Sequence, residues 1–328
     1  MGRRRISLER CWFTPTLVAA LTLAGCTAAA SPAPSPRPTP SAVASPTSTP
    51  SDPSGDRGIL IAAGDVASCS TSADEETGVL VGQLRDAAVR DHLEVAVALL
   101  GDGAYPNGEA SSWANCYDPA WGAFKETTHP AVGNHEYLSD NAAPYFSYFG
   151  SAAGSPQKSW YSYRIGAWRI IVLNSECAVV GCGTNSNQYR WLTASLASAR
   201  AAGEPIAAMW HRPRFSTGEH GDALEMQAVW SALARAGVAI VLNGHEHNYE
   251  RWEPLTAAGS PGVTGITEFI VGTGGADLRA QRRSDVRSAV YHMVHGVIRL
   301  ELARDSYSWE MIALGGTVVD QGRAEIAP

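Results

Sequence analysis

Five apolar stretches of the chain end on side chains of the kinds that bind metal ions. Two stretches run into Gly-Asp pairs, at 64–65 and 101–102, and a third runs into Gly133-Asn134. The other two end at His211 and at Gly244-His245-Glu246-His247. Carboxylate and amide oxygens mixed with imidazole nitrogens suit Fe, Mn or Zn better than Ca or an all-thiolate site. A shared carboxylate can hold two ions about 3.5 to 4 Å apart, and Asp102 is the natural candidate for that bridge.

Tyr105 needs an explanation of its own. It closes the segment Gly101-Asp102-Gly103-Ala104-Tyr105, which directly follows an apolar run. Gly and Asp both tolerate the backbone conformations of a turn, so a turn accounts for the start of this segment. It gives no reason for a phenol three residues after the carboxylate.

The elements that must position these side chains alternate along the chain, which predicts an α/β fold. Strands are predicted at 58–63, 95–100, 206–210 and 238–242, with a hairpin over 161–174 and mostly β-structure from 267 onward. Helices are predicted after a capping box at 72–75, over 188–202 and over 224–236. Open α/β sheets hold their ligand sites at the carboxyl ends of strands. We therefore expect the polar residues that follow the strands to meet at one edge.

Taken together, the motifs resemble those of the calcineurin-like metallophosphoesterase superfamily. They follow in the order GD (64–65), GDGAY (101–105), GNHE (133–136), His211 and GHEH (244–247). Tyr105 and the block from Gly244 to Arg251 narrow the resemblance to the purple acid phosphatases and their small bacterial relatives. The likeness runs motif by motif from about Ile59 to Arg251. It implies an α/β/β/α sandwich, in which helices flank two mixed β-sheets.

The resemblance also implies two metal sites that share Asp102 as a ligand. The remaining ligands of the first site would be Asp65, Tyr105 and His247. Those of the second site would be Asn134, His211 and His245. A phenolate ligand favours iron at the Tyr105 site, with Fe, Zn or Mn at the other.

One position departs from the pattern of the superfamily. Many members have a metal-binding His at the position of Ala67, and the purple acid phosphatases have Gly there. Because Ala67 cannot bind a metal ion, Tyr105 is expected to supply the ligand that this His supplies in other members.

The reaction implied is hydrolysis of a phosphate monoester by attack of a metal-bound hydroxide. His135 would donate a proton to the leaving oxygen. His220, in the loop 217–221, is a second candidate catalytic residue, because purple acid phosphatases have substrate-contacting histidines in this region; a solvated loop His is the alternative. Arg212 and Arg251 are weighed as phosphate contacts, although an Arg near a loop more often forms a surface ion pair.

Two other functions stay open at this point. A phosphodiesterase or nucleotidase would use the same metal centre and differ only in its pocket walls. A non-enzymatic surface lipoprotein that binds phosphate or metal is the second alternative.

The N-terminal part of the chain has the pattern of an export signal. Four Arg residues within the first ten positions precede an uncharged stretch from 11 to 26, which ends in Leu23-Ala24-Gly25-Cys26. This ending resembles the lipobox of bacterial lipoproteins, so we expect a lipid anchor at Cys26 and a location on the cell membrane, facing outside the cytoplasm. An ordinary signal peptide, cleaved near 28–30 to give a secreted protein, is the alternative.

Three segments follow from this pattern. Residues 1–26 are the predicted signal peptide. Residues 27–57 hold 8 of the 19 prolines and few large apolar residues, which predicts a disordered linker. Residues 58–328 are the predicted catalytic domain.

Four cysteines follow Cys26 in the chain, namely Cys69, Cys116, Cys177 and Cys182. An even number in an exported domain suggests two disulfides, with three possible connectivities. Their positions favour Cys69 with Cys116 and Cys177 with Cys182. A thiolate metal site is the alternative, and the absence of CxxC spacing argues against it.

The formal net charge of the chain is −7, and it becomes more negative when the Arg-rich first segment is removed. Such a balance argues against a nucleic-acid-binding surface. A small phosphate ester held by metal ions is the expected partner. Nothing in the sequence indicates an oligomeric state.

Overall fold

The computed structural model describes residues 55–326. The predicted signal peptide, 1–26, lies outside the described residues, and so does the predicted linker except for its last three residues. Among residues 55–326, no helix combines the length and the hydropathy that crossing a bilayer requires.

The first β-sheet has six strands in the order β13-β12-β11-β1-β2-β3. Their bounds are β1 Gly58–Ala63, β2 Glu94–Leu100, β3 Thr128–Ala131, β11 Gly296–Ala303, β12 Ser306–Ala313 and β13 Val318–Glu325. β1, β2 and β3 run parallel, whereas β11, β12 and β13 add antiparallel strands on the other side of β1. β1 is buried along its whole length because this central strand is covered on both faces.

The second β-sheet has seven strands in the order β10-β8-β9-β7-β6-β5-β4. Their bounds are β4 Tyr161–Ile165, β5 Trp168–Val172, β6 Ile206–Met209, β7 Ile240–Asn243, β8 Tyr249–Trp252, β9 Thr267–Val271 and β10 Ser288–His292. β5, β6, β7 and β9 run parallel, and the remaining pairings are antiparallel. Both sheets are therefore mixed.

Helices cover the outer face of each sheet. The longer ones are α1 Ala73–Arg90, α2 Ala143–Phe149, α3 Asn187–Ala201 and α4 Gln227–Arg235. Successive side chains of a strand point to opposite faces. Ile170 of β5 accordingly joins the core between the sheets, while Ile171 packs with Leu192 of α3 and Leu233 of α4. Because α1 packs on β1, β2 and β11, the layers are α/β/β/α, as expected.

Short helical turns fill the connections after β2 and β3. They are Ala110–Ser112, Trp113–Tyr117, Asp118–Trp121, Gly122–Thr127, Glu136–Leu138, Asp140–Ala142 and Gly150–Ala153, with Cys177–Val180 and Leu224–Met226 later in the chain. Trp113, Trp121 and Phe124 from these segments are buried in the core. The sequence predicts no element for the turns after β2 and β3, because turns this short show no apolar periodicity.

Several predicted boundaries need correction. The capping box at 72–75 is wrong: the Ser72 side chain makes no bond to the first helical N–H groups, and its hydroxyl donates to the Glu76 carboxylate instead. The helix predicted over 224–236 begins as a 3-10 turn and is α-helical only from Gln227.

Candidate metal centre

The five strands that precede the polar motifs come from both sheets. β1, β2 and β3 lie side by side in the first sheet, and β6 and β7 are neighbours in the second. Because parallel strands end at the same edge, the residues that follow them meet there. All seven sequence-predicted ligands lie at this edge.

The first group of side chains surrounds the Tyr105 hydroxyl. This oxygen lies 2.9 Å from Asp65 Oδ1, 3.2 Å from Asp102 Oδ2 and 3.0 Å from His247 Nε2. His247 Nε2 is itself 3.4 Å from Asp65 Oδ1. The Tyr105 backbone N–H donates to the Ala67 carbonyl over 2.8 Å, so the phenol is held beside the position that lacks a His.

The second group surrounds His211 Nε2. This nitrogen lies 3.1 Å from Asp102 Oδ2, 3.2 Å from Asn134 Oδ1 and 3.1 Å from His245 Nδ1. Asp102 Oδ2 therefore belongs to both groups. A pair of metal ions bridged by one carboxylate needs two such sets of oxygen and nitrogen donors.

Two of the imidazoles are oriented by hydrogen bonds from the ring nitrogen that faces away from the cluster. His211 Nδ1 lies 2.9 Å from the Leu100 carbonyl, and His247 Nδ1 lies 2.6 Å from the Asp277 carbonyl. A carbonyl only accepts, so each Nδ1 carries a proton, and each imidazole, when neutral, would turn the lone pair of Nε2 toward the cluster. Metal-binding histidines are typically oriented in this way.

The charges of the cluster shift the pKa values of its members. Burial lowers the pKa of His211, but the charge of Asp102 and the hydrogen bond to it outweigh burial and raise that pKa to about 10. Burial, together with the positive charges of His211 and Arg212, holds the pKa of His245 far below its usual value. Burial and the charges of Asp102 and Asp65 raise the pKa of Tyr105 well above its usual value. A phenolate here therefore requires a strongly positive neighbour.

Three of the seven side chains sit on residues with a left-handed backbone. The φ angles are 58° at Asp65, 49° at Asp102 and 71° at His245. Non-glycine residues adopt this region infrequently, and such strain clusters at functional sites. All three residues directly follow a glycine.

Two buried glutamates tie the site loops together. Glu136 accepts hydrogen bonds from the backbone N–H groups of Asp102, Gly103 and Gly133, at 3.0, 2.8 and 2.7 Å. Burial and the charge of Asp102 raise the pKa of Glu136 to about 8. Glu246 accepts from the N–H groups of residues 219, 220 and 221, at 2.8, 2.7 and 3.1 Å.

The two candidate catalytic histidines lie beside different members of the cluster. His135 Nε2 is 3.8 Å from Asp102 Oδ2, and the ring packs 4.5 Å from that of Tyr105. The His220 ring centre is 4.2 Å from that of His245, and its Nδ1 is 3.4 Å from Glu246 Oε2. His220 is therefore a neighbour of the cluster, and it lies in a loop with its side chain 38% exposed.

The two arginines weighed as phosphate contacts behave differently. Arg212 Nη1 lies 2.9 Å from His245 Nε2, and its guanidinium pairs with Glu176. Arg251 pairs instead with Asp320 of β13, 2.7 Å away, and both side chains are largely buried, with 17% and 8% exposed.

A cavity of about 600 Å³ opens beside the first group. Tyr105, His135 and His247 form its inner wall, and Ser68, Ser70 and Arg279 lie farther out. The Cys69–Cys116 disulfide borders this cavity, and Cys177 pairs with Cys182. Both predicted pairings are confirmed, and so the thiolate metal site is excluded for these four cysteines.

Sequence reasoning missed the functions of three residues. Glu136 and Glu246 stand within the GNHE and GHEH motifs, and their acidic type beside metal-binding residues was the available signal. Arg279 belongs to no motif, and only the tertiary structure brings it to the cavity.

Comparisons with known proteins show similarity in both sequence and fold. A family model described as calcineurin-like phosphoesterase matches residues 59–249. An uncharacterized protein of Mycobacterium tuberculosis is 31% identical over 192 residues, which cover 52% of this chain and 34% of that protein. Purple acid phosphatase 1 of Ipomoea batatas is 31% identical over 183 residues, which cover 49% of this chain and 37% of that protein. The chain thus spans little more than a third of the length of these relatives.

A solved structure shows the same fold. The purple acid phosphatase PPD1 from yellow lupin seeds superposes with a TM-score of 0.70 at 19% identity, covering 82% of this chain and 54% of that one. The chain therefore belongs to the calcineurin-like phosphoesterase family of metal-dependent phosphoester hydrolases, and its similarity within that family is to the purple acid phosphatases.

Proposed function

We propose that this protein is a phosphatase with two metal ions, which hydrolyses small phosphate monoesters outside the cytoplasm. The observation that carries the proposal is the pair of ligand groups that share Asp102 Oδ2, beside a cavity of about 600 Å³. Residues 58–328 would form the catalytic domain, since every residue of the centre and both disulfides belong to this segment.

Asp102 would bind both ions. Asp65, Tyr105 and His247 would complete the first site. Asn134, His211 and His245 would complete the second. Bound ions of this kind supply an activated water and positive charge against the phosphoryl oxygens. The phenol favours iron in the first site, with Fe, Zn or Mn in the second.

His135 is the proposed proton donor to the leaving oxygen. It lines the cavity, is partly exposed to solvent, and its backbone N–H donates to Asp102 Oδ1 over 2.9 Å. Its Nδ1 contacts the Pro106 carbonyl, so its Nε2 is the nitrogen left for the substrate. His220, beside His245, would contact the phosphoryl group from the other side.

Two variants test the proposed centre. Asp102→Asn removes the shared negative charge, so we expect hydrolysis of p-nitrophenyl phosphate to fall about a thousandfold, with metal content reduced. His135→Ala should lower kcat about a hundredfold and leave the metal content unchanged. Metal analysis and an absorption spectrum of the purified protein would identify the ions, and a tyrosinate-iron band is expected.

The outcomes separate the competing functions. Equal activity of Asp102→Asn and wild type would rule out the proposed centre. Faster cleavage of bis-p-nitrophenyl phosphate than of p-nitrophenyl phosphate would favour a phosphodiesterase. A metal-loaded protein that binds phosphate and hydrolyses neither ester would be the non-enzymatic lipoprotein.

We also propose export through residues 1–26, with a lipid anchor at Cys26. The two disulfides support this location, since disulfides persist in oxidising compartments. Cys26→Ser should abolish incorporation of labelled fatty acid and move the protein from the membrane fraction. Unchanged labelling in that variant would contradict the anchor.

A further inference from the structure

Among the described residues that line the cavity, Arg279 is the one Arg or Lys. Ser68 and Ser70 stand on the side bordered by the Cys69–Cys116 disulfide, and Arg279 stands on the side of His247. Because the metal centre lies at the inner wall, a bound ester would direct its leaving group along these outer residues.

The backbone of Arg279 is fixed relative to the metal centre. Its N–H donates to the His247 carbonyl over 2.8 Å, and its carbonyl accepts from the Tyr291 hydroxyl over 2.7 Å. Its side chain is 30% exposed, and Nη1 reaches within 3.4 Å of the His220 ring. The guanidinium is thus positioned by its neighbours and still open to the cavity.

The charge of Arg279 is only loosely neutralised. Its one ion-pair partner within the described residues is Glu219, with Nε 3.9 Å from Oε2, and Glu219 also pairs with Arg282 at 3.1 Å. One carboxylate is therefore shared between two guanidiniums. Arg212, by contrast, has Glu176 to itself, with contacts of 2.7 and 3.3 Å.

Asp277 lies on the same wall as Arg279 and is exposed. Its negative charge repels a ligand that carries several negative charges, and its carboxylate oxygens accept hydrogen bonds from hydroxyl groups. Together with Ser68 and Ser70, it suits a hydroxylated leaving group that carries a single anionic group.

Building on the proposed phosphatase function, we infer that Arg279 selects phosphate monoesters whose leaving group carries a second anionic group. The carboxylate or phosphate of such a substrate would replace Glu219 as the close partner of the guanidinium. A charge-assisted pair of this kind, partly exposed to solvent, gives about a tenfold preference.

Two matched substrate pairs test this inference. The short pair is 3-phosphoglycerate and glycerol 3-phosphate, which differ by a carboxylate against a hydroxymethyl group. The long pair is 6-phosphogluconate and glucose 6-phosphate. For at least one pair, wild type should show about tenfold higher kcat/KM for the substrate with the extra charge. Raising NaCl from 20 to 500 mM should reduce that ratio.

Variants assign the preference to Arg279. In Arg279→Gln the ratio of kcat/KM values within a pair should fall to about one, because the KM for the substrate with the extra charge rises. Arg279→Lys keeps the positive charge and should restore part of the ratio. The control is Arg164→Gln on β4, whose side chain is 60% exposed, lies off the cavity wall and makes no ion pair with Glu219. The control should leave both the ratio and the activity unchanged.

Three results would overturn the inference. They are a ratio near one in wild type for both pairs, an unchanged ratio in Arg279→Gln, or an equal change in Arg164→Gln. A wild-type protein that hydrolyses none of the four esters would instead overturn the proposed function together with this inference.

Discussion

At the scale of single residues, the glycines that precede the ligands make the close packing of the site possible. A Cβ on Gly101 would lie 2.5 Å from His211 Nδ1, and a Cβ on Gly244 would lie 2.6 Å from Asp65 Oδ2. The GD and GH pairs therefore do more than form turns. Gly101 and Gly244 each leave space for a proposed ligand that comes from a different motif.

Gly133→Ala tests this packing. The added Cβ would approach Asp102 Oδ1 to 2.2 Å, so the shared carboxylate must move. Since a displacement of about 1 Å can lower a rate about a hundredfold, we expect kcat to fall by about that factor while the fold is retained. Steady-state kinetics and circular dichroism measure the two effects.

The matched control for Gly133→Ala is Gly183→Ala. No atom lies within 4 Å of a Cβ built there, and the φ angle of Gly183 is not positive. Full activity in the control and lost activity in Gly133→Ala is the expected result. Full activity in both variants would show that the carboxylate position is not critical.

The raised pKa of His211 gives the metal-free protein a pH-dependent stability. The ordinary pKa is 6.5, and in the folded protein the charge of Asp102 outweighs burial and raises it to about 10. A raised pKa means that the protonated imidazole stabilises the fold. This contribution is complete below about pH 6.5 and is lost as the pH rises toward 10.

Urea unfolding of chelator-treated protein at pH 6.5, 8 and 9.5 measures this effect. We expect the free energy of unfolding to fall across the series in wild type, and to fall less in His211→Gln. If the free energy of unfolding fell equally with pH in the two proteins, the pH dependence would not come from His211.

At the scale of elements, carboxylates and disulfides connect loops that lie far apart in the sequence. Glu136 joins the loop after β2 to the loop after β3 through three N–H groups. The Cys69–Cys116 disulfide joins the loop after β1 to the helical turns after β2. Both connections keep the ends of the first three strands in register with one another.

The two disulfides should differ in their effect on stability. In the chain-entropy model, a cross-link over a separation of 47 contributes about 4 kcal/mol, and one over a separation of 5 contributes about 2 kcal/mol. The double variant Cys69→Ser/Cys116→Ser should therefore lose more stability in urea than Cys177→Ser/Cys182→Ser. The second variant serves as the control, and a larger loss there would contradict the expectation.

At the scale of the whole molecule, the proposed centre lies between the two sheets. Asp65, Asp102 and Asn134 follow strands of the first sheet, whereas His211, His245 and His247 follow strands of the second. Asp320 adds another link between the sheets, since it accepts from Tyr249 and Arg251 of β8 and from Trp309 of β12. Metal ions would join the two sheets at the edge where the active site forms.

Metal binding should accordingly stabilise the whole fold. An ion that binds only the folded state adds about 4 kcal/mol to the free energy of unfolding when its concentration is a thousand times the Kd. Thermal unfolding of metal-stripped protein, with and without Zn²⁺ or Mn²⁺, should show a clear rise in Tm. Asp102→Asn should show little rise, and an equal rise in that variant would place the binding elsewhere.

Much of this protein is determined by local sequence. Apolar runs followed by Gly-Asp, Gly-Asn or His predict strands with metal-binding ends, because strand burial and turn chemistry act over a few residues. The two disulfide pairings and the layered α/β fold follow from signals of the same kind, together with the family resemblance. The order of the motifs thus predicts which seven side chains come together.

Tertiary structure alone decided how those side chains are supported and what lies around them. Glu136 reaches its N–H partners, Arg279 reaches the cavity and Arg251 reaches Asp320 only after distant strands pair. These contacts join residues whose spacing carries no periodic signal, and they form because the packing of two sheets satisfies buried polar groups that local sequence leaves without partners.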